Sequence, residues 1–267
     1  MMIRTIRQHG FSLIELAVVL FIISLILGGL LPPLATQIEQ KEREQTQAQL
    51  DEIKQVLYGY AFKNNYLPCP DCRDNSGNCA GVTANDGFED TIAGTGNTLD
   101  CASEVGNLPW ASLGVQEYDA WNQHFTYRVD NEFADRESST NPVTASEWEG
   151  TGCTPTTSGV SFSLCSDGNI TVKDSAGGSD IADNVPAIVV SHGADWSSTA
   201  TDDGNAATYA DEDENYDDGR TGDTAKTFVY KDFVKDNTDS SKDFDDMMIW
   251  ISPHVFRAKM LEAGILP

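Results

Sequence analysis

The sequence predicts an α+β fold, in which a long N-terminal helix precedes an antiparallel β-sheet head and a short C-terminal helix. The chain is apolar from Phe11 to Leu31 and keeps a helical pattern to about Asn65. Pro68 and Pro70 then stop the helix, and short alternating segments typical of strands follow. A last helical pattern runs from Pro253 to Ala263. A long helix followed by a group of strands indicates an α+β arrangement.

The first helix begins with a run that is apolar over about 20 residues, the length that a membrane-crossing helix needs. A secretory signal peptide has a shorter apolar core and a small-x-small cleavage site, and this run fits neither feature. A plain single-span anchor is the second alternative, and Arg4 and Arg7 would then hold the N-terminus in the cytoplasm. That alternative leaves Glu15, a carboxylate inside the apolar run, without an explanation.

The second part of the helix is polar but keeps one apolar stripe, at spacings of three and four residues: Leu50, Ile53, Leu57 and Tyr60. We expect this stripe to pack on the head. Pro32 and Pro33 separate the two parts and predict a bend in the helix.

The N-terminal segment "GFSLIELAVVLFIISLILGGLLPP" resembles the start of type IV prepilins and type II secretion pseudopilins. The matching features are a short basic leader, Gly10 before the cleavage point, Phe11 after it, and Glu15 in the acidic position of that motif. The resemblance implies that a prepilin peptidase cuts between Gly10 and Phe11 and methylates the new amine. It also implies that Glu15 pairs with the Phe11 ammonium of a neighbouring subunit, so that a cation offsets a buried carboxylate.

This resemblance divides the chain into a leader (1–10), a transmembrane or filament-core helix (11–34), its amphipathic continuation (35–65) and an extracytoplasmic head (66–267). The head is expected to have a pilin-like fold. The implied location is the inner membrane with the head in the periplasm, and afterwards a filament. The implied partners are other pilin subunits, the prepilin peptidase and an inner-membrane assembly platform.

Within the head, Asp167-Gly168 predicts a hairpin turn between two of the expected strands. Ser252 precedes the C-terminal helix as its expected N-cap, and Gly264 follows as its stop. The expected strands are His124–Val129, Val160–Cys165, Asn169–Lys173, Val185–Ser191, Thr227–Val234 and Met247–Ile251.

The charge of the chain excludes some partners of the head. The formal net charge is -25, and several of the few basic residues lie in the leader and just after the apolar run. Binding to nucleic acid or to anionic lipid needs patches of lysine and arginine. We therefore expect neither as a partner of the head.

Six cysteines lie beyond the apolar run. Cys69-Pro-Asp-Cys72 has the spacing of a redox motif or of half a zinc site, which Cys79 and Cys101 could complete. Without a nearby histidine, a second C-x-x-C or a thioredoxin-like context, disulfides are favoured. Among several possible connectivities we expect Cys69–Cys101, Cys72–Cys79 and Cys153–Cys165.

An acidic loop from Asp202 to Asp223 offers oxygen ligands at alternating positions, as calcium loops do. It departs from the EF-hand pattern, because Tyr216 stands where the turning glycine belongs. The alternative is a solvated acidic surface loop. Several pilins and pseudopilins bind calcium in the head, and the resemblance therefore adds support for a Ca2+ site. The candidate ligands are Asp211, Asp213, Asn215, Asp217 and Asp218.

Ser191, His192 and Asp195 invite a hydrolase interpretation. A triad converges from separate elements, however, and neighbouring residues of one strand point to opposite faces. We therefore expect no enzyme. The resemblance implies a structural subunit of a type IV pilus or a type II secretion pseudopilus. The alternative is a minor pilin whose acidic head mediates adhesion or ligand recognition.

Overall fold

The computed structural model describes residues 12–94, 98–137, 160–194, 211–215, 226–234 and 243–266, with the side chains of 27–35, 98 and 137 left out. The chain divides into two compact units, Met1–Glu44 and Gln45–Pro267. The main α-helices are α1 (Leu13–Asn64), α2 (Trp110–Leu113), α3 (Asn131–Ala134) and α4 (Pro253–Glu262). Residues 211–215 are also helical, and Gly77–Cys79 form one turn of 3-10 helix. The strands are β1 (Thr91–Ala93), β2 (Thr98–Cys101), β3 (Val105–Asn107), β4 (Thr126–Val129), β5 (Arg136–Glu137), β6 (Ile170–Lys173), β7 (Asp180–Val185), β8 (Ala187–Ser191), β9 (Thr227–Val229) and β10 (Met247–Trp250).

Helix α1 ends where the sequence predicts. Its last residue is Asn64, and Asn65 turns the chain with a left-handed φ of 67°. In the second unit Leu50, Ile53 and Leu57 are buried, as expected. The expected position of Tyr60 in this stripe is wrong, because the buried residue one turn after Leu57 is Ala61 and Tyr60 is only partly buried.

The head contains a four-stranded antiparallel sheet with the strand order β10-β8-β4-β3. Two three-stranded sheets accompany it, in the orders β1-β2-β5 and β7-β6-β9. Strand β8 is buried on both faces. Ala187 and Val189 belong to the core cluster that includes α1, whereas Ile188 and Val190 pack with the β7-β6-β9 sheet. The second unit therefore has three layers, with the β10-β8-β4-β3 sheet in the middle.

Strands β4, β6, β8 and β10 each lie within an expected strand and confirm most of its length. The strand expected from Val185 to Ser191 is wrong in its extent, because Pro186 separates β7 from β8. Proline cannot donate to a strand ladder, and the two strands lie in different sheets. The strand expected from Thr227 to Val234 ends at Val229, and Val234 forms only an isolated bridge with Phe244.

The expected strand Val160–Cys165 and the hairpin at Asp167-Gly168 are both wrong. The Ser163 amide donates to Ser166 Oγ at 2.9 Å, and the Cys165 amide donates to Ser163 Oγ at 3.3 Å. Such local bonds from side chain to backbone compete with a strand ladder. Strand β6 pairs instead with β7 in antiparallel and with β9 in parallel orientation.

An aromatic cluster joins α4 to the core. The rings of Phe162 and Phe256 lie 4.8 Å apart, and Phe133 packs against both. Helix α4 begins at Pro253 after Ser252, and Gly264 follows it with a left-handed φ of 72°, as expected. Ser252 makes no side-chain capping bond, and the start of the helix therefore depends on Pro253 and on the packing of Phe256.

Two disulfides, Cys69–Cys101 and Cys72–Cys79, staple the segment after α1, and these are the pairs expected from the sequence. Each cysteine of the C-x-x-C motif is therefore bonded to a cysteine outside it. Cys165 is also disulfide-bonded, whereas Cys153 lies outside the described residues.

Asp71 lies inside this stapled segment and is fully buried. Its main chain pairs with that of Asn107, and its Oδ2 accepts from the Gly87 amide at 3.1 Å. Burial raises the pKa of Asp71 from 3.8 to about 6, and the carboxylates of Asp90 and Asp86 add to the rise.

Glu89 connects the stapled segment to the end of α1. Its Oε1 accepts from the Tyr60 hydroxyl at 3.0 Å and from Arg136 Nη1 at 2.6 Å. Arg136 Nη1 also lies 2.7 Å from the Tyr66 hydroxyl. Glu89 therefore neutralises a partly buried guanidinium and holds Tyr60, while Arg136 in turn holds Tyr66.

The raised pKa of Asp71 makes stability depend on pH. Because the folded-state pKa exceeds the unfolded value, the contribution of this group is complete below about pH 4 and is lost as the pH rises through about 6. Between pH 4 and pH 8 the free energy of unfolding should fall by about 2 kcal/mol more in the wild type than in Asp71→Asn. Urea denaturation of the full chain in detergent measures this difference, and equal pH dependences would contradict it.

Glu89→Gln should lower the free energy of unfolding by about 1–3 kcal/mol, because it leaves the Arg136 guanidinium without its counter-charge. Asp180→Asn is the matched control, since Asp180 also forms an ion pair, with Lys173 at 2.7 Å, but is mostly exposed. The control should change the free energy of unfolding by less than about 0.5 kcal/mol. Equal effects of the two variants would show that Glu89 is not a structural anchor.

Candidate functional site

The start of α1 is held by two reciprocal hydrogen bonds between Ser12 and Glu15. The Ser12 amide donates to Glu15 Oε2 at 2.9 Å, and the Glu15 amide donates to Ser12 Oγ at 3.2 Å. This arrangement is a capping box, which satisfies two amides that the first helical turn leaves without partners. A carboxylate in the first turn also interacts favourably with the helix dipole.

The capping box gives Glu15 a role within its own chain, which the sequence analysis did not consider. The pattern Ser12-x-x-Glu15 was the signal that could have revealed it. Pairing of Glu15 with the terminus of another subunit stays a prediction. Gly10 and Phe11 lie outside the described residues.

The apolar side chains that follow the capping box are exposed. Their exposed fractions range from 45% for Ile23 to 87% for Leu13. A continuous apolar surface of this kind marks a site of contact with another protein or with a membrane. Its described large members are Leu13, Ile14, Leu16, Val18, Val19, Leu20, Phe21, Ile22, Ile23, Leu25 and Ile26.

Among the described residues, none of the helices combines the length and the apolarity needed to cross a membrane. The expected membrane span is therefore not confirmed. Helix α1 continues through Pro32 and Pro33, and the bend expected there stays a prediction.

The described members of the expected calcium loop contact other protein groups. The Asn215 amide group accepts from the Val229 amide at 2.6 Å and donates to the Val229 carbonyl at 3.0 Å, as a neighbouring strand would. It also donates to Asp246 Oδ2 at 2.7 Å. Asp211 accepts from the Ala176 amide and from Lys231 Nζ.

A calcium ion at these residues would compete with the contacts that hold β9 in place. Asp213 is buried, and Asp217 and Asp218 lie outside the described residues. Within the described ranges, no group of three or more His, Cys, Asp or Glu residues could hold a metal ion. The calcium site is therefore not supported by the described residues.

Ser191 and His192 are both buried at the end of β8, and each contacts different residues. Ser191 Oγ donates to Asp119 Oδ2 at 2.6 Å, whereas His192 Nε2 lies 2.8 Å from Thr126 Oγ1. His192 Nδ1 lies 3.6 Å from Asp246 Oδ1. The two residues point away from each other, as the strand alternation predicts.

These polar contacts join several segments of the head. Thr126 Oγ1 also accepts from Arg73 Nη2 at 2.6 Å, and Arg73 Nε donates to Asn107 Oδ1 at 3.1 Å. Burial raises the pKa of Asp119, and the hydrogen bond from Ser191 opposes this rise. Thr126 and Arg73 were not predicted from the sequence, because Thr126 reaches His192 only through the pairing of β4 with β8, and Arg73 joins the network only through Thr126 and Asn107. Asp195 lies outside the described residues.

Residues 6–31 match the protein family described as the prokaryotic N-terminal methylation motif. The chain therefore carries the prepilin-type cleavage and methylation signal, which contains the capping box. The motif implies processing by a prepilin peptidase and assembly with other pilins, and it suggests a membrane-anchored subunit. No curated protein and no solved structure matches the chain significantly.

Ser12→Ala should loosen the first turn of α1, because the Glu15 amide loses its acceptor. Replacing an N-cap serine by alanine costs about 1 kcal/mol, and the amides of Glu15 and Leu16 should exchange roughly fivefold faster. Hydrogen–deuterium exchange of the full chain in detergent measures the rates.

Ser24→Ala is the matched control, since the Ser24 hydroxyl donates to the Phe21 carbonyl inside the same helix. Exchange of the first-turn amides should be unchanged in this control. Unchanged exchange in Ser12→Ala as well would contradict a capping function for Ser12.

Proposed function

We propose that the chain is a structural subunit of a type IV pilus or of a type II secretion pseudopilus, assembled through the exposed apolar part of α1. The methylation motif supports a pilin-like or pseudopilin protein. The observation that carries the proposal is the position of Glu15 at the start of α1, where the large apolar side chains described between Leu13 and Ile26 are exposed in the single chain.

Cleavage of the leader creates the positively charged amine with which Glu15 would pair in a filament. In the proposed mechanism a prepilin peptidase cuts between Gly10 and Phe11, and the methylated amine of Phe11 becomes a new cation. A carboxylate has about four acceptor positions, and the capping box uses Glu15 Oε2 for one donor. Glu15 can therefore hold its own helix start and still accept from the ammonium of a neighbouring subunit.

Packing of the apolar helices makes this ion pair important for the stability of the filament. When neighbouring helices cover the exposed side chains, water leaves the site and an unpaired carboxylate becomes costly. The pairing of each Glu15 with a Phe11 ammonium then sets the position of one subunit along the next, as a buried polar residue sets the register of a coiled coil.

Before assembly, we place the subunit in the inner membrane with its head in the periplasm. The basic leader favours a cytoplasmic N-terminus, and the disulfides of the head fit an oxidising compartment. An assembly platform in the same membrane would then extract the subunit into the filament.

A second candidate is a minor pilin whose head recognises a ligand at low copy number. The net charge of -25 favours it, because a strongly acidic surface attracts cationic partners. The number of copies in sheared filaments distinguishes the two candidates. We propose no catalytic role for either, because Ser191 and His192 contact different partners.

Glu15→Gln separates the two roles of this side chain. Glutamine also serves in a capping box, and the helix start should therefore be retained while the charge is lost. We expect normal cleavage at Phe11 but at least a tenfold loss of the subunit from sheared filaments, measured by quantitative immunoblotting.

Glu44→Gln is the matched control, since Glu44 is an exposed carboxylate on the same helix. Its incorporation should equal that of the wild type. Wild-type incorporation of Glu15→Gln would show that the charge of Glu15 has no part in assembly.

A further inference from the structure

Asn169 is the acceptor position of an N-x-Thr sequence, Asn169-Ile170-Thr171. It is the one asparagine of the chain that is followed two residues later by serine or threonine. This pattern is the acceptor signal for N-linked glycosylation, which modifies surface positions of exported proteins.

The structure places Asn169 where such a modification is possible. Asn169 is exposed and lies at the end of residues 160–169, which form neither helix nor strand. Gly168 and Ile170 on either side are buried, whereas Asn169, directly before β6, is exposed and Thr171, on the outer face of β6, is partly exposed. A group attached to Asn169 would therefore point away from the core.

In the folded head, main-chain groups on both sides of Asn169 are hydrogen-bonded, whereas the side chains of Asn169 and Thr171 are not bonded within the described part of the head. The Gly168 amide donates to the Asn184 carbonyl at 3.2 Å, and the Thr171 amide donates to the Lys226 carbonyl at 3.0 Å. Toward the other described residues, the side chains of Asn169 and Thr171 make no hydrogen bond. Both polar groups are thus available to an enzyme.

We propose that Asn169 is an N-glycosylation site that accepts an oligosaccharide from a polyprenyl diphosphate donor. The Asn169 amide nitrogen forms a bond to C1 of the first sugar and loses one proton to a base on the transferase. The bond between C1 and the diphosphate oxygen breaks, and polyprenyl diphosphate leaves. The inference rests on the proposed function, because it requires the head to be exported.

The pairing of β6 indicates when the transfer occurs. Thr171 pairs with Thr227 of β9, so its main chain is engaged in a parallel ladder in the folded head. A transferase must bind the acceptor segment as a separate strand. Transfer therefore precedes the closure of β9 on β6, while the chain is being exported.

Glycopeptide mass spectrometry of the full protein purified from its source cells tests the proposal. We expect the peptide with Asn169 to carry an added oligosaccharide mass. Asn169→Gln and Thr171→Val should lose this mass, and Thr171→Ser, which keeps the hydroxyl, should retain it. Asn184, an exposed asparagine followed by Val185 and Pro186, is the internal control and should be unmodified.

An unmodified Asn169 in the wild type, or a modified one in Thr171→Val, would overturn the inference. Sedimentation of sheared filaments from the same cells scores assembly separately. A glycosylated Asn169 in a protein that is absent from filaments would overturn the proposed function and leave the glycosylation site standing.

Discussion

The carboxylate of Glu15 at the start of an exposed apolar helix is the constraint on which the N-terminal unit depends. In the single chain it closes a capping box with Ser12, so the helix begins at a defined residue. The same carboxylate becomes costly once apolar neighbours cover it, unless a cation is supplied. Removal of the leader would create that cation, and processing and assembly are thereby joined through one side chain.

In the head, burial decides the role of residues that look chemically active. Strand β8 lies in the middle layer with both faces covered, and it ends in Ser191 and His192 inside the protein. Their hydrogen bonds to Asp119 and Thr126 join a loop and a strand. The Asn215 side chain likewise makes both main-chain hydrogen bonds of Val229, which a neighbouring strand would otherwise make. These polar side chains stabilise the described layers.

Local sequence signals predicted some features well. The end of α1 and the start and stop of α4 were correct, because prolines and glycines act within a few residues. Of the two correct cysteine pairs, Cys72–Cys79 is separated by 7 residues and Cys69–Cys101 by 32, so close spacing explains only the first. The division of a strand by Pro186 was missed, as were the short strands β1, β2, β3 and β5. Sheet partners depend on distant residues, and therefore a pattern of alternation alone could not assign them. The Ser12-x-x-Glu15 pattern was readable and was overlooked.

The most direct test of the account is the mass of the N-terminal peptide of the protein taken from cells. We expect a mature chain that begins at Phe11 and carries one methyl group on its amine. A chain that keeps Met1, or one that begins at any residue other than Phe11, would contradict it, because Glu15 would then have no terminal cation in a neighbouring subunit to bind.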